Sequence, residues 1–456
     1  MALTLELPVV DRTRGAAGGL REVVSLAVPV ILTNLSATLM MTTDAAMVGR
    51  LGATQLGAVG YGGIWYWTAL SLFGGTASGV QTFVSQAHGS GDADHCGGWA
   101  WQALYAVVPL AAFGIALFAL SFGALLGVLA PAAGLPPLAA AYVHARAFGV
   151  GGFAIAMVLS GFFRGLGNTR IPLYAMVIAN LVNLVLNYGL IFGHLGLPAW
   201  GVTGSGTATA VAEWVYAGVL FALFRRAHFA DRFHTAPVAP NRAAIRRYLR
   251  TSAPIGGQWM LDMLAFATFS TLVARMGAAE MAASQSLISL MHLSFMQVLG
   301  ISIAVSTLVG RYVGAGDVAA AERSHDSGVR LGLIVSVGVA LVFLAIPGFC
   351  LRIFTDDPDV LALGAPLLAV GAAFLVCDAL GVLSGGALRG AGDTRWPFLM
   401  QTALAWGLFL PAAYLCGVML GGGLTGAWLG GAAYVAVLAA ALRSRFRSGA
   451  WKRVRI

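Results

Sequence analysis

Arg164-Gly-Leu-Gly-Asn-Thr-Arg-Ile-Pro172 returns in the second half of the chain as Arg389-Gly-Ala-Gly-Asp-Thr-Arg-Trp-Pro397. The same offset carries Pro29 to Pro254, Val48-Gly-Arg-Leu-Gly-Ala53 to Val273-Ala-Arg-Met-Gly-Ala278, and Gly89-Ser-Gly-Asp92 to Gly314-Ala-Gly-Asp317. Four motifs in one register imply a duplicated unit with no net insertion between them. Each motif borders an apolar stretch of membrane-spanning length, so the duplicated unit reads as a helical bundle in lipid. Paired bundles of this kind are characteristic of secondary transporters, whose substrate path lies between related repeats.

Composition agrees. The chain of 456 residues is 59% hydrophobic and 10% charged, where soluble domains carry about 25% charged residues. Twelve apolar segments stand out, at about 22–45, 55–86, 98–127, 138–161, 171–194, 200–224, 250–275, 283–310, 328–352, 361–386, 396–419 and 423–442. A bilayer crossing needs roughly 20 such residues. Six spans per half return the chain to its starting side, which makes the repeat parallel rather than inverted. The expected organisation is an N-lobe over 1–226, a polar cytoplasmic linker over 227–249, and a C-lobe over 250–456 with a basic tail. The sequence from Met1 to Leu20 lacks an apolar core of signal-peptide length, so no cleavable leader is expected.

The net charge of +9 is a topology signal rather than a nucleic-acid signal. With the N-terminus inside, 23 of the 27 Lys and Arg fall on the cytoplasmic side, and only Arg50, Arg146, Arg275 and Arg352 fall outside. Basic residues resist translocation, so this asymmetry puts both termini of a multi-pass membrane protein in the cytoplasm. Nucleic-acid binding is not expected.

Several chemistries are missing. The single lysine, Lys452, sits in the tail, which leaves none for a nucleotide-binding P-loop or a Schiff base. Gly201-Val-Thr-Gly-Ser-Gly206 opens a membrane helix and follows no strand, so its glycines read as packing glycines. The four cysteines show no paired spacing. His292 is the one histidine well inside a span, and reads as a packing residue ahead of a proton relay.

Four of the 18 acidic residues lie within apolar segments: Asp44, Glu213, Asp262 and Asp378. A carboxylate at membrane depth costs at least about 2.5 kcal/mol, so it faces a cavity, a cation or a partner. Basic partners within the spans look scarce. Asp44 lies roughly 22 Å of helix beyond Pro29, with the proline able to kink the span below it. Asp262 follows Pro254 by just over two turns, with Gln258 one turn earlier on the same face. None of these acids obeys the repeat: Asp44 maps to Phe269, Asp262 to Ala37 and Asp378 to Phe153. The second half, with two acids, looks the better suited to a cation. Asn180, Asn183 and Asn187 form a stripe on the fifth span that reads equally as interhelical glue or substrate contact. Glu213 reads as a pathway acid, a partner for that stripe, or an interface residue.

Thr43-Asp-Ala-Ala-Met-Val-Gly-Arg-Leu-Gly52, Asn183-Leu-Val-Leu-Asn-Tyr188, Pro254 with Asp262, and Cys377-Asp378 leading to Leu388-Arg-Gly together resemble the multidrug and toxic compound extrusion (MATE) family, on its NorM-like branch. The resemblance implies an all-α protein of twelve helices in two six-helix bundles, with a V-shaped cavity. It also implies antiport of amphipathic, often cationic organic compounds against sodium or protons, with no cofactor and no enzymatic activity. Asp44, Asp262 and Asp378 match the family's coupling acids, and Asp262 with Asp378 would be the acids of a C-lobe sodium site. Two positions depart from the pattern. Asp262 stands where better-known NorM-like members carry glutamate, and Asn187 stands where archaeal proton-coupled members carry aspartate, which leans toward sodium. A monomer contacting only lipid and small organic cations is expected. A lipid-linked precursor flippase would call for a basic cavity. A polytopic transferase would call for a His/Asp or paired-acid motif at a membrane face, and a passive channel would not call for asymmetric acids.

Overall fold

The computed structural model describes residues 17–129, 134–454 and 456, and every element among them is helical. The leader reading at the N-terminus falls largely outside this range. Twelve rods follow one another among the described residues, and each of the twelve apolar segments lies on one. They are α1 (Leu20–Gly49), α2 (Ala53–Ser78) continued by α3 (Val80–Gly89), α4 (Asp94–Leu129), α5 (Leu135–Ala147) continued by α6 (Val150–Gly165), α7 (Arg170–Phe192) and α8 (Gly201–Phe224). After the short α9 (Ala227–Phe233) come α10 (Arg242–Ala274), α11 (Ala278–Gly314), α12 (Val318–Ala345) with α13 (Pro347–Arg352), and α14 (Pro358–Ala391). The eleventh rod joins α15 (Arg395–Leu404) to α16 (Leu410–Tyr414), and α17 (Gly423–Arg447) is the twelfth. Among the described residues nine helices are long and apolar enough to cross a membrane, or ten with the bent α5–α6 pair counted as one. The other two rods are less apolar for chemical reasons: α2 is rich in glycine, and Gln258 and Asp262 interrupt the apolar run of α10.

The polar linker is more ordered than its prolines suggest. Phe229 and Phe233 of α9 are fully buried. Beyond them, Trp101 Nε1 donates to Thr235 O, Gln102 Nε2 to Ala239 O, and Tyr105 OH to Val238 O, so α4 holds the backbone that loops past it. The helix after the linker begins at Arg242, a full two turns before the expected start at 250.

The chain folds as two compact units, one of Leu32–Met260 and one of the residues up to Ile31 together with Leu261–Ile456. It therefore passes from one unit to the other inside α1 and again inside α10, a short way beyond Pro29 and Pro254. In the second unit Val23, Leu26 and Ala27 of α1 share a core with Ile301, Val305, Leu383 and Trp451. In the first, Tyr248 of α10 is fully buried and its hydroxyl donates to Thr76 O at 2.7 Å. Small residues allow these helices to meet. A Cβ on Gly75 would lie 2.7 Å from Gly256 Cα, and one on Gly300 would lie 2.5 Å from Ile31 Cγ1. Gly75 pairs with Gly300, and Ile31 with Gly256, under the offset that relates Arg164 to Arg389, so the same contact is built once in each unit.

The register holds only to the start of the eleventh rod. Ala405–Phe409 and Leu415–Met419 wind as π-helix, whose hydrogen bonds each reach one position further than those of an α-helix. The rod consequently runs on to Met419, past Gly417, the position that the repeat assigns to Phe192. A shorter loop then starts the twelfth rod at Gly423, short of Gly426, the position that the repeat assigns to Gly201.

Candidate ion-coupling sites

Asp44 is the centre of a closed polar circuit in the Leu32–Met260 unit. It is 8% exposed on α1, facing α7 and α8. Asn187 Nδ2 donates to Asp44 Oδ1, and its second hydrogen goes to Asn183 Oδ1 at 3.0 Å. Asn183 Nδ2 approaches Thr209 Oγ1 at 3.4 Å, and the Thr209 hydroxyl lies 2.9 Å from Asp44 Oδ2. That hydroxyl also lies 3.0 Å from Ser205 O, and with one hydrogen it serves one acceptor at a time. Asn183 and Asn187 are buried, and Asn187 Oδ1 is a buried acceptor with no hydrogen-bond partner. The third asparagine of the stripe, Asn180, sits two turns from Asn187 and donates to Ser36 O and Oγ at 2.7 and 2.6 Å. The stripe thus ties α7 to α1 at two levels.

The arrangement supplies carboxylate, amide and hydroxyl oxygens from three helices. Hard oxygens of this kind suit a small hard cation. The unpartnered Asn187 oxygen would offer such a cation a further ligand, and turning the Thr209 hydroxyl to Ser205 O would free its lone pairs on the Asp44 side.

The second unit holds the other two acids. Asp262 Oδ2 accepts from Gln401 Nε2 of α15 at 2.6 Å. Asp378, half-buried on α14, Arg389 and Tyr434 are within electrostatic reach of Asp262, and Tyr434 reaches both acids. No cluster of three His, Cys, Asp or Glu able to hold a metal occurs among the described residues, so a cation between Asp262 and Asp378 would have to complete its shell with neutral oxygens. Gln258 is buried on the stretch of α10 that belongs to the first unit, while Asp262 lies beyond the crossover.

Glu213 has a basic partner. Arg146 stands 3.0 Å from its Oε1, with both side chains about nine-tenths buried. This corrects the sequence reading twice: Arg146 lies within the bundle rather than on an outer connection, and a basic residue is present beside a membrane acid. His292 is exposed on α11 rather than packed. The glycines that open α8 do pack, since a Cβ on Gly204 would overlap Leu190 O. Thr209, Arg146, Gln401, Arg389 and Tyr434 went unmarked as site residues in the sequence. The one available signal was Thr209, one turn before Glu213 and therefore on its face of α8.

The repeat and the fold have counterparts. The MatE family profile matches residues 29–189 and again 254–415, one copy per half. A probable multidrug resistance protein NorM of Geobacillus kaustophilus is 30% identical over 438 residues, covering 96% of each chain. A second, from Thermotoga maritima, is 28% identical, covering 95% of this chain and 93% of its own. A crystal structure of MATE in complex with MaL6 superposes with a TM-score of 0.88 at 19% identity, covering 98% of this chain and 100% of that one. The chain is a NorM-like member of the MATE family of membrane transporters, with the twelve-helix fold of that family.

Proposed function

We propose that this transporter is a cation-coupled antiporter of the bacterial inner membrane, with both termini cytoplasmic. It exports amphipathic, often cationic organic compounds in exchange for sodium or protons. The relatives' names speak for multidrug export. The observation that carries the coupling is the Asp44 circuit, a buried carboxylate held by a neutral amide N–H and a hydroxyl with no basic group bonded to it. A carboxylate so placed lacks a permanent counter-charge, and a cation that enters and leaves supplies one. The amide and hydroxyl oxygens of Asn183, Asn187 and Thr209 favour sodium, because a proton on Asp44 would need only a single acceptor.

The test is efflux of a fluorescent organic cation from proteoliposomes with sodium and proton gradients imposed separately. Efflux accelerated by an inward-directed sodium gradient is expected. Efflux indifferent to both gradients removes cation coupling.

A further inference from the structure

Arg146 and Glu213 form an ion pair in the Leu32–Met260 unit that sits one helical turn from the Asp44 circuit. Its position is built with care. The helix breaks between α5 and α6 with a 51° bend, which interrupts the regular helical hydrogen bonding of the carbonyls there. Tyr66 OH donates to Arg146 O at 3.0 Å, and Trp214 Nε1 donates to Phe148 O at 2.8 Å, so the break is satisfied from α2 and α8. Beyond it, Gly149 and Gly152 let α8 come close: a Cβ on Gly149 would overlap Glu213 Oε2, and one on Gly152 would lie 2.8 Å from Trp214 N. The Arg146 guanidinium lies 5.0 Å from the centroid of the Tyr66 ring and is held there by Glu213.

Glu213 follows Thr209 by one turn on the same face of α8, and Thr209 contacts Asp44. Asp44, Arg146 and Glu213 are all within electrostatic reach of one another. The other groups facing them are the phenols Tyr66 and Tyr142 and the neutral Asn183, Asn187 and Thr209. His144 on α5 turns instead to Ala119 O of α4. The cluster therefore contains two carboxylates and one guanidinium. In a low-dielectric site such a set lacks one positive charge.

We infer that the Arg146–Glu213 pair positions and balances charge for the Asp44 site: Glu213 engages the guanidinium, and Asp44 is left as the uncompensated carboxylate that takes the coupling cation. This rests on the cation-coupled reading above. Glu213 and Arg146 are positioning residues that set how tightly the cation is held, without ligating it. Removing the Glu213 charge turns Arg146 into a built-in competitor for the cation at Asp44. Removing both charges restores the balance.

The experiment measures efflux against sodium concentration, and against pH, for the full chain in proteoliposomes. Glu213→Gln is expected to raise the half-saturating cation concentration about tenfold, the size of one unscreened charge nearby at moderate dielectric. Arg146→Gln, which leaves two acids, is expected to lower it. The double variant Arg146→Gln/Glu213→Gln is expected to return to within about threefold of the parent, since like numbers of charge are lost on each side. A half-saturating concentration that stays put in Glu213→Gln, while thermal stability alone falls, overturns the proposal and leaves the pair a structural strut. If Glu213→Gln does not insert, a double variant that inserts but stays about tenfold weak overturns it equally. A parent protein indifferent to both gradients overturns the cation-coupled reading itself, which is a separate and prior outcome.

Discussion

Asp44 and Asp262 differ in how they are held, and the difference sets what substitution should do. Asp44 has both carboxylate oxygens engaged, by Asn187 and Thr209. Replacing it with asparagine keeps the volume and removes the charge, so Asp44→Asn should insert normally and reduce gradient-driven efflux to the uncoupled background, measured in proteoliposomes. Asp262→Asn and Asp378→Asn should each do the same, and wild-type efflux in that double variant would remove the second-unit acids from the mechanism. Thr209→Val deletes one hydroxyl and should shift cation half-saturation about fivefold, the equivalent of a net hydrogen bond of about 1 kcal/mol, whereas Thr209→Ser should leave it near the parent value. The acids were legible in the sequence because a carboxylate inside an apolar run is costly and needs a partner, a cation or water. Thr209 was not, because a threonine in a helix can satisfy its hydroxyl on the carbonyl one turn back, here Ser205 O, and so leaves no trace of a second partner. Arg146 misled for another reason: the charge count assigns a residue to a side of the membrane and says nothing of whether its side chain is buried against a partner.

At the scale of elements, packing between α10 and α2 depends on an absent side chain. A Cβ on Gly256 would overlap both Leu72 O and Thr76 Oγ1, and the first of these is backbone that cannot turn away. Gly256→Val should cost about 1–3 kcal/mol as overpacking, read as a lowered Tm in detergent. Gly60→Ala, on the open side of α2 with nothing within 4 Å of its would-be Cβ, should leave Tm unchanged or raise it slightly. The rods themselves were legible because apolar run length and the repeat register agree. The breaks at Gly79 and between α5 and α6 were not, since both lie inside continuous apolar runs. The π-turns at Ala405–Phe409 and Leu415–Met419 also escaped, because a π-turn changes backbone bonding without any residue type that announces it.

At the scale of the whole molecule, the sequence reading cuts the chain at the linker, while the compact units change over inside α1 and α10. Hydropathy could not show this, because a helix keeps the same apolar pattern whichever neighbours bury it. A chain severed between α9 and α10 should test it directly. Neither fragment carries a complete unit, so each expressed alone should be degraded. Co-expressed, the two should copurify and restore efflux, measured by export of the same fluorescent cation from cells.

The two reciprocal glycine contacts, Gly75 on Gly256 and Gly300 on Ile31, have a genealogical consequence. Each half lends the first part of its opening helix to the other, as in a swapped homodimer whose protomers have been spliced end to end. Before such a splice, every substitution in one protomer would appear in its twin, and a lone carboxylate would necessarily be a matched pair. After it, the partners are tethered yet free to drift apart. A tether therefore permits what a dimer of identical subunits forbids: one copy keeping its acid at Asp44 while the other acquires Asp262 and Asp378, so that a symmetric scaffold comes to hold unequal sites.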